Sequence, residues 1–220
     1  LHISDECTHR LPYCYADAQL APTTKYAEVN TIKRIMDELA FSGAKTVALL
    51  GGDPVEHPSF VDIARHIKTS GMKVACMSNT MKIPGFLPSQ MSEIIDSIDT
   101  TIHAGSSEEH DAFCRCSGAY DNLLKYLKEY SNLGVIVNVA INIIPQTYNK
   151  IFDIVEGVIS RGVNVSTLLT QRILPFGRAE NTDIYNVNAE QVNTAFSQIE
   201  NVVKAFGIEV SVEDPYPLCC

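Results

Sequence analysis

The chain has 220 residues, 45% of them hydrophobic and 20% charged, with a formal net charge of −9. These are ordinary globular values, and one domain of this size buries a core without needing staples. The acidic balance argues against a nucleic-acid surface built on bulk positive charge, and no apolar run approaches the ~18 residues of a membrane span.

Helical and strand-like patterns alternate along the chain. An opening strand precedes a helix whose buried face is Ile32, Ile35, Met36, Leu39 and Ala40, spaced i, i+3, i+4, i+7, i+8. Thr46–Leu50 reads as a short buried strand. Phe60, Ile63, Ala64 and Ile67 form the next helical stripe, and Lys73–Met77 the next strand. A short helix is expected over Ser89–Ile95 and a strand over Ser97–Ile102. Tyr120, Leu123, Leu124 and Leu127 mark another helix, Val135–Ile144 a strand, Ile151 to Ile159 a helix and Val165–Leu169 a strand. A last helix carries Val192, Phe196, Ile199, Val203 and Phe206 before a strand at Ile208–Val212. Gly43, Gly71, Gly134, Gly162 and Gly207 each fall between a helix and the following strand, where a left-handed C-terminal cap favours glycine. Such repeated junctions imply βα units and a parallel sheet, either open or barrel-like, with ligands at the carboxyl ends of the strands. The polar stretch Gly177–Val187 is the best linker candidate.

The chain opens Leu-His-Ile-Ser without a basic n-region or cleavage site, so no signal peptide and a cytoplasmic location are expected. Both ends look cut from a longer protein. Seven cysteines are unevenly spread, and in a reducing compartment they read as metal ligands or buried hydrophobes rather than disulfides. Cys76, between Ala75 and Met77, reads as a buried small hydrophobe. Two segments are chemically informative. Cys7-Thr-His-Arg-Leu-Pro-Tyr-Cys14 follows the opening strand and offers two soft ligands with an aromatic beside the second; two unrelated loop thiols are the competing reading. Gly51-Gly52-Asp53-Pro54 follows the second strand, where glycines let a backbone approach a ligand closely, or simply make a βα turn.

Together these segments resemble the radical S-adenosylmethionine (SAM) superfamily, whose members open with a strand, a C-x3-C-x2-C loop, a helix, a strand and a G-G-E-P-type motif. Ser78-Asn79-Thr80 is similar to the family's T-N-G element. Thr101-Ile-His-Ala-Gly with His110-Asp111 resembles its S-I-D-G segment and following H-D. Leu174-Pro-Phe-Gly-Arg-Ala179 resembles its P-x-G-R-A element. The ordered set spans nearly the whole chain. One departure stands out: Leu11 occupies the middle cysteine's place, and an aliphatic side chain has no lone pair to donate. A variant position, a natural loss of activity and a ligand from elsewhere remain open.

The resemblance implies a partial (β/α)6 barrel over residues 1–212, with parallel strands and outer helices. It implies SAM and a [4Fe–4S] cluster as cofactors; the cluster cleaves SAM to a 5′-deoxyadenosyl radical that abstracts a substrate hydrogen. By position, Cys7 and Cys14 would ligate the cluster, and Tyr13 would sit on the adenine side. Gly51, Gly52, Asp53 and Pro54 would take the methionine amino group, and Ser78 and Thr101 the ribose or carboxylate. Asn142 would reach the ribose, and Leu174 and Pro175 would line the adenine. Arg115 is a carboxylate candidate, although it falls one place after the family's usual Arg and Cys114 holds that earlier place. His103 and His110 are weaker candidates as proton donors. Residues 213–220, ending Cys219-Cys220, resemble the start of a Cys-rich C-terminal extension of the SPASM or twitch type, which would hold an auxiliary iron–sulfur cluster. Such enzymes modify peptides, proteins or small molecules and draw electrons from a flavodoxin or ferredoxin. The competing reading is a cluster-deficient, non-catalytic domain that binds SAM or a partner. An aldolase-type barrel is a third reading, disfavoured because no lysine lies well inside a predicted strand.

Overall fold

The computed structural model describes residues 1–18, 25–79 and 85–213. Seven strands form one sheet: β1 (His2–Ser4), β2 (Thr46–Gly51), β3 (Lys73–Met77), β4 (Ser97–Thr101), β5 (Ile136–Asn142), β6 (Thr167–Gln171) and β7 (Glu209–Val212). Their spatial order is their chain order, and every neighbouring pair is parallel. Parallel neighbours joined by right-handed crossovers put all connecting helices on one face, so the sheet curls with the helices outside. The result is the partial barrel the motifs imply.

The helices are α1 (Val29–Phe41), α2 (Phe60–Thr69), α3 (Pro88–Met91), α4 (Ser107–Cys114), α5 (Ala119–Asn132), α6 (Ile151–Ser160) and α7 (Ala189–Phe206). Local chemistry starts them: the Glu28 carboxylate caps α1 through Asn30 N and Thr31 N, and Asn188 and Gln191 form a capping box at α7. All five junction glycines adopt positive φ, from 65° at Gly207 to 87° at Gly162. One continuous core lies between the sheet and the helices. Leu49, Cys76, Ile98 and Val137 make one register row of it, each buried. Side chains alternate across a strand, so the concave face carries the intervening residues, among them Asp99, Thr101, Asn138 and Asn142. These are polar, and Asn138 Nδ2 donates to Asp99 Oδ1 at 2.7 Å.

Three expectations change. The helix expected over 89–95 is a single turn, because Ile94 N and Ile95 N both bond back to Met91 O and Asp96 N already joins Val74 O at the sheet. On α7 Val192 and Ile199 are buried as expected, together with Ala195 and Val202, whereas Phe196 and Phe206 are only partly buried against the core and Val203 is exposed; Phe206 stacks on Phe152 of α6 at 5.6 Å. The segment 177–187 is no linker, since Ala179 and Tyr185 are buried against the loop that follows β1.

Candidate cofactor site

The carboxyl ends of the strands gather the singled-out residues at one mouth. Gly51 and Gly52 end β2, and the backbone they admit is the protein's own. Gly52 N donates to Ser4 O at 2.6 Å and Asp53 N to Glu6 O at 2.7 Å. A Cβ on Gly51 would overlap the Ser4 carbonyl oxygen, and one on Gly52 the Glu6 carbonyl oxygen. Asp53 is fully buried, and its carboxylate accepts from Val55 N (3.2 Å), Ser78 Oγ (3.0 Å) and Asn79 N (3.0 Å). It therefore fastens the end of β3 to the loop after β2, and Pro54 starts the short 3₁₀ turn beside it.

The cysteine loop lies over this edge. Cys7 is buried and Cys14 half-buried. Burial first, then the nearby Asp53 charge, pushes the Cys7 thiol up to about 12. Arg178 pins the loop: Nε donates to Asp17 Oδ1 (2.8 Å), one terminal nitrogen to Leu11 O (3.0 Å), the other to Ala18 O (2.5 Å), and its backbone N to Cys14 O (3.1 Å). Gly177, at φ 57°, packs so closely that a Cβ would overlap the Cys14 and Tyr15 carbonyl oxygens. The Leu11 side chain packs into a satellite apolar cluster with Tyr13, Ile144, Ala179 and Tyr185.

Tyr13 turns its hydroxyl into the barrel. Asn142 Nδ2 donates to it at 2.6 Å, and it lies 2.8 Å from His103 Nδ1. The ring meets Tyr185 edge-on, with centroids 5.3 Å apart. Among the described residues Asn142 Oδ1 has no hydrogen-bond partner. Beneath the loop sits a feature the sequence did not reveal: His9, His103 and His110 are all buried, and His103 and His110 lie with ring centroids 5.2 Å apart. His103 N donates to His110 Nδ1 at 3.2 Å. Burial lowers all three imidazoles, His9 and His110 to about 4, so they are neutral at pH 7. Helix α4, which carries His110 and Cys114, was also missed. Its available signal was Ser106 three residues before Glu109, whose backbone N donates to Ser106 Oγ at 3.3 Å.

The remaining candidates are placed as follows. Thr101 is half-buried at the end of β4. Arg115 is exposed and left-handed (φ 53°), just past α4. Leu174 and Pro175 line a cavity of about 100 Å³ with Ile173 and Tyr185, well short of the ~300 Å³ at which ligand pockets begin. Cys219, Cys220 and Thr80 lie outside the described residues.

A [4Fe–4S] cluster of the expected kind takes three thiolates from one loop. Two are present, and the third position is an aliphatic side chain spent on apolar packing. Among the described residues no three His, Cys, Asp or Glu side chains converge to hold a metal ion. The residues present do not fit that cluster.

Comparison with known proteins gives a consistent outcome. The family model described as the radical SAM superfamily matches residues 1–158. The antilisterial bacteriocin subtilosin biosynthesis protein AlbA of Bacillus subtilis is 23% identical over 214 residues, 94% of this chain and 47% of that protein. The Fe-coproporphyrin III synthase of Methanosarcina barkeri is 23% identical over 70% of this chain and 40% of its own length. The chain thus spans about half the length of these curated relatives. Streptococcus suis SuiB bound to S-adenosylmethionine superposes with a TM-score of 0.78 at 12% identity, covering 98% of this chain and 50% of that one. SuiB bound to its precursor peptide SuiA gives 0.79 at 13% identity over 98% and 48%. At such identities the likeness establishes the fold.

Proposed function

This chain belongs to the radical SAM superfamily, and from that premise we propose that it is the SAM-binding barrel of a protein that modifies a peptide or protein substrate. The observation that carries the proposal is the convergence, at one edge of the sheet, of five motif segments in family order: the cysteine loop, Gly51–Pro54, Ser78, Thr101 with Asn142, and Leu174–Ala179. The peptide substrate class is supported by AlbA and by the SuiB–SuiA complex, each named for a peptide product or partner.

In this reading the backbone at Gly51–Asp53 takes the methionine amino group. Asn142 Oδ1, an acceptor with no partner among the described residues, accepts a hydrogen bond from a ribose hydroxyl. Ser78 Oγ donates to the Asp53 carboxylate at 3.0 Å and stands beside this backbone. Thr101 at the end of β4 adds a hydroxyl, and Tyr13, Leu174 and Pro175 form the apolar wall for the adenine. Arg115 needs to turn inward to meet the carboxylate. An electron donor of the flavodoxin or ferredoxin class, a cytoplasmic location and an auxiliary cluster beginning at Cys219 or Cys220 belong to the same proposal. No radical step is derived for the chain as written, because its loop does not complete the cluster's ligand set.

Calorimetric titration with SAM tests the reading. Saturable binding is expected, weakened about tenfold by Asn142→Ala, the equivalent of one hydrogen bond of ~1.4 kcal/mol. A Leu11→Cys version, reconstituted anaerobically and reduced, is expected to release 5′-deoxyadenosine. Failure of both versions to bind SAM would sink the proposal.

A further inference from the structure

Among the described residues, several protein groups anchor the cysteine loop. Arg178 holds the Leu11, Cys14 and Ala18 carbonyls and the Asp17 carboxylate. Gly177 lets the 177–179 turn lie against Cys14 and Tyr15. Tyr13 is tied to Asn142 and His103, and the half-buried Leu11 side chain packs against the apolar cluster beside it. A second replacement accompanies the first: Cys114, at the family pattern's Arg position, is fully buried at the end of α4. Two positions that serve cofactor binding in the family pattern thus hold side chains used here for packing.

We propose that protein contacts close the cysteine loop of this chain in place of a four-iron cluster, and that Leu11 is the reason no [4Fe–4S] cluster assembles there. The inference rests on the superfamily reading only in identifying the loop. The physical case is one of ligand count and displacement. A cluster bound through two thiolates lacks a protein ligand on two irons. Seating it also requires removing the Leu11 side chain from its contact with the Tyr13, Ile144, Ala179 and Tyr185 cluster, a cost that no third Fe–S bond offsets. The strongest rescue ligand is Cys114. Arg10 N donates to Cys114 O at 2.9 Å, which brings the end of α4 beside the cysteine loop. Any test must therefore separate position 11 from Cys114.

The chain as written, Leu11→Cys and Cys114→Ser are each incubated anaerobically with iron, sulfide and thiol, desalted, and assayed for bound iron and acid-labile sulfide. The expected result is below about 0.5 iron per chain for the chain as written and for Cys114→Ser, and about four iron and four sulfide per chain for Leu11→Cys. About four iron on the chain as written overturns the proposal; loss of that iron in Cys114→Ser would then assign Cys114 as the third ligand. Absence of iron on Leu11→Cys, with that variant folded, overturns the role of position 11. Should Leu11→Cys prove unfolded, the melting temperature of the chain as written decides: unchanged by reconstitution under the proposal, raised by several degrees if a cluster binds the native state. SAM calorimetry on the same samples keeps a failure of the functional reading distinct, because it does not depend on the iron count.

Discussion

Replacing Arg178 with Ala isolates what holds the cysteine loop. The guanidinium makes two charge-assisted bonds to main-chain carbonyls, Leu11 O at 3.0 Å and Ala18 O at 2.5 Å, and one ion pair to Asp17 at 2.8 Å. Hydrogen bonds from a charged donor contribute about 1.5–3 kcal/mol each. The Asp17 pair adds at most ~1 kcal/mol, because the Asp17 side chain is 58% exposed and water screens it. The Leu11 carbonyl belongs to a half-buried residue and can recover part of the loss by hydration, whereas Ala18 is buried, so Arg178→Ala should destabilise by about 2–4 kcal/mol. Arg178→Lys keeps the charge but not the fork, reaches one acceptor at a time, and should recover only about 1 kcal/mol of that. Asp17→Ala should cost less than ~1 kcal/mol. Urea unfolding at neutral pH reads all three, and limited proteolysis should show new cleavage within residues 5–18 of the Ala variant. A loss under ~0.5 kcal/mol with no new cleavage would refute the clamp.

Two further outcomes follow from the same geometry. Gly52→Ala places a methyl group against the Glu6 main-chain carbonyl, which cannot swing aside, and should cost about 2 kcal/mol or more, whereas Gly157→Ala inside α6 meets the Tyr120 hydroxyl at 3.7 Å and the Gly105 carbonyl oxygen at 3.8 Å, ordinary contact distances, and should stabilise by up to ~1 kcal/mol. Paired urea titrations check both, and equal effects would show that the turn after β2 does not need glycine where it meets the Glu6 carbonyl. Stability should also fall on acidification. Burial holds His110, which faces His9, His103 and Asp111, at about 4 in the fold against about 6.5 unfolded. Between those values the unfolded chain binds a proton the folded chain does not, so His110's contribution is complete above pH ~6.5 and lost as pH falls, by roughly 2 kcal/mol at pH 5. A urea midpoint that stays flat from pH 7.5 to 5 would contradict this.

The βα repeat could be read from residues because its signals are local. Apolar spacing marks a helix face, and a glycine past the helix end marks a left-handed cap, whatever the rest of the chain does. Reading failed where packing overrides local pattern. Helix α4 buries only a short face, so its apolar period never built up. On α7 the larger Phe196, Val203 and Phe206 marked the face in the sequence beside Val192 and Ile199, yet Ala195 and Val202 are the ones fully buried with those two, and Phe206, partly buried, pairs with Phe152.

The candidate site divides in the same way. The motif order and the missing thiol at position 11 are facts of sequence, since no tertiary arrangement gives a leucine a lone pair. Tertiary structure decided how the same residues are used. Gly51 and Gly52 admit a neighbouring strand, and Asp53 spends its carboxylate on Val55, Ser78 and Asn79. Tyr13 reaches Asn142 across 129 positions of chain, and Arg178 reaches Leu11 across 167. Contacts of that separation leave no periodicity to read, because they depend on where parallel strands in register deliver their carboxyl ends.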